Sequence, residues 1–240
     1  MSQQSTKMGF VKAEDRATII PRLIMSVMGL EKQGKTHFAL TAPGPIAMFS
    51  TDIGEEGVVG KFTGGKKIEI YEVARRDESE DQESVGKEWD NFKAAYLWSM
   101  RAKEFRTVLI DTATEIWELL RLARFGTLTQ VMPYQYGPVN KEYRMLIREA
   151  YNWDKNLILL HKMKAQYIND KKTGEYERAG FNDTGFLVQV NAQVWRYDPS
   201  EGGEFVITVN DARQNPEVAG VDFEGPMCDW EFVQSAILEG

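Results

Sequence analysis

A nearly continuous apolar run, Leu23-Ile24-Met25-Ser26-Val27-Met28, leads directly into Gly29-Leu30-Glu31-Lys32-Gln33-Gly34-Lys35-Thr36. No other feature of the 240-residue chain constrains its fold as strongly. The run is short enough for a strand buried on both faces. The octapeptide matches the P-loop pattern G-x-x-x-x-G-K-[ST] in full and opens a helical pattern, Lys35 to Thr41, that Pro43-Gly44-Pro45 stops. Strand, glycine-rich turn and helix in that order form a phosphate cradle: glycines let the backbone wrap the anion, and N–H groups point inward. Lys35 is then expected to reach the β- and γ-phosphates of ATP, and the Thr36 hydroxyl to ligate Mg2+. His37, in the following helix, lies beside this segment and reads as a structural residue.

A P-loop requires a second element, an apolar strand that ends in an acidic residue beside the magnesium. Thr107-Val108-Leu109-Ile110-Asp111-Thr112 supplies it, with Asp111 as the candidate that holds Mg2+ through a water. Two further strand patterns, 46–51 and 67–73, lie between, so the phosphate strand and the magnesium strand are not consecutive. The first of them ends Ser50-Thr51-Asp52, followed by Gly54-Glu55-Glu56-Gly57. A carboxylate there can polarise a water toward the γ-phosphate. Asp52 is the first candidate, with Glu55 and Glu56 behind it. Asn140-Lys141-Glu142-Tyr143 is not an N-K-x-D guanine-reading motif, which argues against a GTPase.

Periodicity organises the rest. Trp89, Phe92, Ala95, Tyr96 and Met100 recur at helical spacing and predict an amphipathic helix over 87–103, after a charged loop over 74–86. A second helix carries Ile116, Leu119, Leu120 and Ala123 and ends at Gly126; a third starts near Pro138 and turns Tyr143, Leu146, Ile147 and Ala150 inward. Leu157–Leu160 is another buried strand. Beyond residue 164 the pattern changes to β: a hairpin with its turn at Lys171-Lys172-Thr173-Gly174, then alternating segments over 186–197 and 204–210. Buried strands alternating with helices predict an α/β fold, mainly a parallel sheet with helices on both faces, with antiparallel strands at the C-terminal edge. Residues 1–17 read as a flexible or partner-docked tail, 18–215 as one domain and 216–240 as an acidic C-terminal segment.

The formal charge is −7, which argues against a general nucleic-acid-coating protein. It is unevenly spread, with −5 over residues 72–90 and −6 over 214–240, so the other 194 residues sum to +4. Cys228 is the only cysteine, which excludes an intramolecular disulfide and a cysteine-based zinc cluster. No apolar run approaches the roughly 20 residues needed to span a bilayer, and MSQQSTKMGF has no signal-peptide core. A cytoplasmic location without membrane attachment is expected.

The P-loop, the strand ending at Asp52, the Leu109-Ile110-Asp111-Thr112 strand end, and Leu157–Lys162 followed by β structure together resemble a RecA-type ATPase core. The phrase YGPVNKEYRMLIREAYNWDKNLILLHKMK and the late Ile207-Thr208-Val209-Asn210-Asp211-Ala212-Arg213 are similar to small phage-encoded, AAA-type nucleotide-binding proteins with a RecA-like core. Some of these belong to a single-strand DNA annealing family. The resemblance spans roughly residues 20–215. It implies a RecA-like fold, Mg2+-dependent ATP hydrolysis, a homo-oligomer in ring or filament form, single-stranded DNA as partner, and a role in the host cytoplasm beside phage recombination or replication proteins. Relatives carry a catalytic Glu where this chain has Asp52, so the chain departs from their pattern at that position. They place a γ-phosphate sensor near His161 and Lys162, and late basic residues in a neighbour's nucleotide site, for which Arg213 is the match.

The resemblance also places DNA contacts after the Leu157–Lys162 strand. Lys162, Lys164, Lys171, Lys172 and Arg178 lie there among Tyr167, Tyr176 and Phe181, and residues 155–180 carry +3. Cations for phosphates and aromatic faces for bases are what single strands require. The alternative readings are a P-loop nucleoside or nucleotide kinase, against which the β structure after residue 161 counts, and a nucleotide-gated assembly module with little turnover.

Overall fold

The computed structural model describes residues 20–51, 55–74, 81–127, 131–198, 200 and 202–239. The expected tail at 1–17 and the first catalytic candidate, Asp52, lie outside the described residues. Among the described residues there are ten strands and six α-helices: β1 (Ile24–Met28), α1 (Lys35–Thr41), β2 (Ile46–Ser50), β3 (Ile68–Glu72), α2 (Gln82–Arg101), β4 (Thr107–Asp111), α3 (Ala113–Phe125), α4 (Tyr136–Ala150), β5 (Asn156–His161), β6 (Met163–Ile168), β7 (Lys171–Arg178), α5 (Thr184–Leu187), β8 (Val190–Arg196), β9 (Phe205–Ala212), β10 (Val221–Glu224) and α6 (Trp230–Leu238).

Eight of these strands form one sheet in the order β10-β9-β8-β1-β5-β4-β2-β3, and β6 and β7 pair as a separate hairpin. From β8 to β3 every neighbouring pair is parallel, while β9 and β10 run antiparallel at one edge. The strand β5 lies between β1 and β4, so the ends of the phosphate strand and the acidic strand stand one strand apart. Parallel strands need crossover helices, and those helices bury both sheet faces. On one face α2, α3 and α4 set Phe92, Tyr96, Ile116, Leu120 and Ile147 against Phe49, Val108, Ile110, Leu157 and Leu159. On the other, α1 and α6 set Phe38, Leu40, Trp230 and Val233 against Met25, Val27, Met48, Leu109, Ile158 and Leu160.

Capping chemistry fixes where the helices begin. Asp81 accepts from Ser84 N at 2.9 Å and starts α2 five residues before the expected position, because the cap outranks the apolar stripe as a start signal. Thr112 caps α3 by accepting from Glu115 N. The β6–β7 turn lies at Asn169-Asp170, both at positive φ (50° and 59°), and not at Lys171–Gly174. A two-residue turn with both residues left-handed matches the twist of a hairpin, and Asn and Asp tolerate it. Residues 186–197 divide into the short α5 and β8, and β8 joins the sheet parallel to β1. Residues 216–239, set apart in sequence by their acidity, supply β10 and α6, whose Trp230, Val233 and Ile237 are buried. Among the described residues no helix is long and apolar enough to cross a membrane.

Candidate nucleotide site and strand-binding hairpin

The loop between β1 and α1 is held from outside by β8 and β9. A Cβ on Gly29 would stand 2.5 Å from the Val194 carbonyl oxygen, and one on Gly34 would stand 2.7 Å from the Phe205 ring. Gly34 also has φ +92°, so glycine is required there on two counts. Lys35 Nζ donates to the carbonyls of Gly29 (2.9 Å) and Leu30 (2.7 Å), which holds the ammonium within the turn. Leu30, Glu31 and Lys32 are exposed on the outer side of the loop, Gln33 is half-buried, and Lys32 adopts a positive φ of 58°. His37 meets Phe62 edge-on (5.1 Å) and stacks on Phe205 (6.2 Å), and burial with the nearby Lys61 lowers its pKa. It buttresses the helix behind the loop. Lys66 closes the far end of α1 by donating to the carbonyls of Leu40, Thr41 and Ala42.

Thr36 Oγ1 donates to Asp111 Oδ2 at 2.6 Å, which joins the first turn of α1 to the end of β4. Asp111 is buried. Thr51 N and Oγ1 donate to the Asp111 carbonyl (2.8 and 3.2 Å), and Thr112 N donates to Thr51 Oγ1 (2.9 Å). The Asp111–Thr112 peptide is cis. A hydroxyl and a carboxylate in contact offer the hard oxygen donors that Mg2+ takes, and Mg2+ in phosphate sites commonly uses only one or two protein ligands. No cluster of three or more His, Cys, Asp or Glu suited to a metal occurs among the described residues.

At the end of β2, Glu55 Oε2 accepts from Ser50 Oγ at 2.7 Å, whereas Glu56 is exposed. Arg213 lies after β9, where its guanidinium donates to the carbonyls of Phe186 (3.0 Å) and Val188 (3.1 Å) of its own chain. Its bonds thus tie the exit of β9 to the α5–β8 turn.

His161 ends β5 fully buried beside Met28 of β1. Its Nδ1 donates to the Ala179 carbonyl at 3.2 Å, and its Nε2 has no partner among the described residues. Burial, helped by the Arg178 charge, lowers its pKa to about 3. Thr114 of α3 accepts from Lys162 N (3.0 Å) and donates to Ala179 O (3.2 Å), and Glu115 pairs with Lys162. The helix that follows Asp111 is therefore stitched to both ends of the β6–β7 hairpin.

The hairpin candidates separate into two groups. Lys171 and Lys172 are exposed, and neither has a carboxylate within ion-pair distance among the described residues; Tyr167, Ile168 and Tyr176 are also exposed. By contrast Lys162 is paired with Glu115 and Lys164 with Glu177 (3.1 Å). Arg178 turns inward, with NH1 on Asn191 Oδ1 (3.1 Å) and NH2 on the Asn182 carbonyl (3.2 Å). Phe181 is core, packed between Trp117 and Tyr143 at 5.0 Å from each ring. Sequence reasoning missed Ser50, Thr51, Val194 and Phe205 as parts of the site. Their roles arise from strand neighbours distant in sequence, which no local spacing signals.

Residues 22–185 match a family model described as an AAA domain. Among solved structures, the fold is similar to a RadB recombinase (TM-score 0.50, 12% identity, 84% of this chain and 86% of that one). It is also similar to a KaiC-like protein from the hyperthermophilic archaeon Pyrococcus horikoshii OT3 (TM-score 0.50, 13% identity, 84% of each chain). None of the curated proteins compared with the chain matches it. The mainly parallel sheet with an antiparallel edge is the RecA-like architecture expected from the sequence.

Proposed function

The chain belongs to the AAA domain family, and from that premise we propose that it is a Mg2+-dependent ATPase acting on single-stranded DNA in phage recombination, annealing or replication. The observation that carries the nucleotide half is the Thr36–Asp111 contact at 2.6 Å, made at the end of a loop whose two glycines admit no side chain. In this reading the backbone N–H groups from Gly29 to Thr36 hold the phosphates, and Lys35 exchanges its carbonyl partners for phosphate oxygens. Thr36 and Asp111 would hold Mg2+, which neutralises charge on the β- and γ-oxygens. Glu55, held by Ser50, would orient a water from the end of β2, a role for which Asp52 and Glu56 also remain candidates.

The DNA half rests on the exposed Lys171, Lys172, Tyr167 and Tyr176. The bonds from Thr114 and Glu115 to the hairpin supply a physical route by which the nucleotide end of β4 can bias the strand-binding element. A ring or filament of copies, with nucleotide at the contacts, fits the same reading. Calorimetric titration with ATP and Mg2+ tests the nucleotide site. Wild type should bind, Lys35→Ala should lose measurable affinity, and Asp111→Asn should bind with little dependence on Mg2+. Equal Mg2+ dependence in Asp111→Asn and wild type would remove the metal assignment.

A further inference from the structure

At the base of the β6–β7 hairpin, on the sheet face opposite α1, a cavity of about 510 Å3 opens between β7, the α5 turn and the strands β1, β8 and β9. Its floor is polar. Arg178 lies across it, half-buried, with NH1 on Asn191 Oδ1 (3.1 Å) and 3.5 Å from Ser26 Oγ. Asn191 Nδ2 in turn donates to both carboxylate oxygens of Asp211 (3.1 and 3.2 Å). Gly185 makes room for the guanidinium: a Cβ there would stand 3.1 Å from Arg178 NH2. Two aromatic rings line the same cavity while exposed to solvent, Tyr176 at 46% and Phe186 at 85%.

We infer that this cavity receives a single nucleobase from a strand bound along the hairpin. The inference rests on the strand-binding reading proposed above and adds where a base goes. Charge selects the base over a phosphate, because Asp211 and Glu177 both line the cavity against the one guanidinium of Arg178. A neutral heterocycle escapes that repulsion and still needs what the floor offers: donors from Arg178, acceptors on Asp211, and amides that serve as either. The two exposed rings offer the faces on which an unstacked base lies. Position agrees as well. Arg178 lies six positions beyond Lys172 in β7, about 20 Å of strand, so a backbone held by the tip lysines reaches the cavity within a few nucleotides.

The test uses the full chain with ATP and Mg2+, and fluorescence anisotropy on labelled oligothymidylate and on an abasic strand of equal length. Phe186 is almost wholly exposed, so Phe186→Ala keeps the fold. The variant should bind oligothymidylate about tenfold more weakly than wild type, and the abasic strand equally well. Lys171→Ala with Lys172→Ala should weaken both strands. If Phe186→Ala binds both strands as wild type does while the lysine variant weakens both, the cavity does not take a base and the strand-binding reading stands. If wild type binds neither strand, both fall.

Discussion

At the scale of single residues, His161 couples the sheet to the hairpin and reports on acid. Its carbonyl partner is Ala179, its neighbour on β1 is Met28, and it is fully buried. With its pKa near 3 in the folded chain against an ordinary 6.5, it stays neutral where an unfolded chain would protonate it. The unfolded state then binds more protons below pH 6.5, so stability is fully present above that pH and is lost as pH falls toward 3. The full loss amounts to about 5 kcal/mol. His37 shifts in the same direction, and Glu142 adds a loss between its ordinary 4.5 and about 2. Burial alone would raise Glu142, but bonds from Arg124, Trp89 and Lys93 outweigh it. Comparing wild type with His161→Gln by urea denaturation isolates His161. The variant should lose less stability than wild type between pH 6.5 and 4.5, and equal slopes would contradict this account of the residue.

At the scale of elements, the P-loop and β4 were legible in the sequence because each depends on local order: an apolar run, then the residues that must follow it. Their convergence followed from the run lengths, since continuously apolar strands belong in a parallel sheet where strand ends share one edge. What was not legible depends on partners far along the chain. Nothing near Gly34 announces Phe205, and nothing near Arg178 announces Asn191. The expected turn at Lys171–Gly174 lies within β7, and the turn itself is made by Asn169 and Asp170, both left-handed. That shift moves Lys171 and Lys172 into β7, facing Ile168 and Tyr167 across the pair. In the proposed reading, these cations opposite exposed apolar side chains take the single strand. Replacing both lysines by Ala should lower the slope of log K against log salt by about 1.4, two phosphate contacts at about 0.7 each. A salt titration with an unchanged slope would return the hairpin tip to plain solvated surface.

At the scale of the whole molecule, the charge arithmetic and the architecture qualify each other. Acidity set residues 214–240 apart in the sequence, yet α6 from that segment covers the sheet face on which α1 packs. Trp230 N donates to Thr41 Oγ1 at 2.8 Å, which fastens α6 to the end of the P-loop helix. The acidic side chains of this segment therefore ride on an element whose apolar side is core. Removing residues 216–239 would uncover Phe38, whose ring lies 6.3 Å from that of Trp230, and delete the buried Trp230, Val233 and Ile237, each buried side chain worth about 1.5–3 kcal/mol. The truncated chain should show no cooperative thermal unfolding, and a melt like that of the full chain would contradict the packing described.

In the proposed reading, the first turn of α3 joins the nucleotide site to the hairpin that takes the strand. Steady-state ATP hydrolysis, measured with and without single-stranded DNA for wild type and Lys35→Ala, tests it most directly. Mg2+-dependent turnover should rise when DNA is added and be abolished in Lys35→Ala under both conditions. Turnover indifferent to DNA, or persisting in Lys35→Ala, would contradict it.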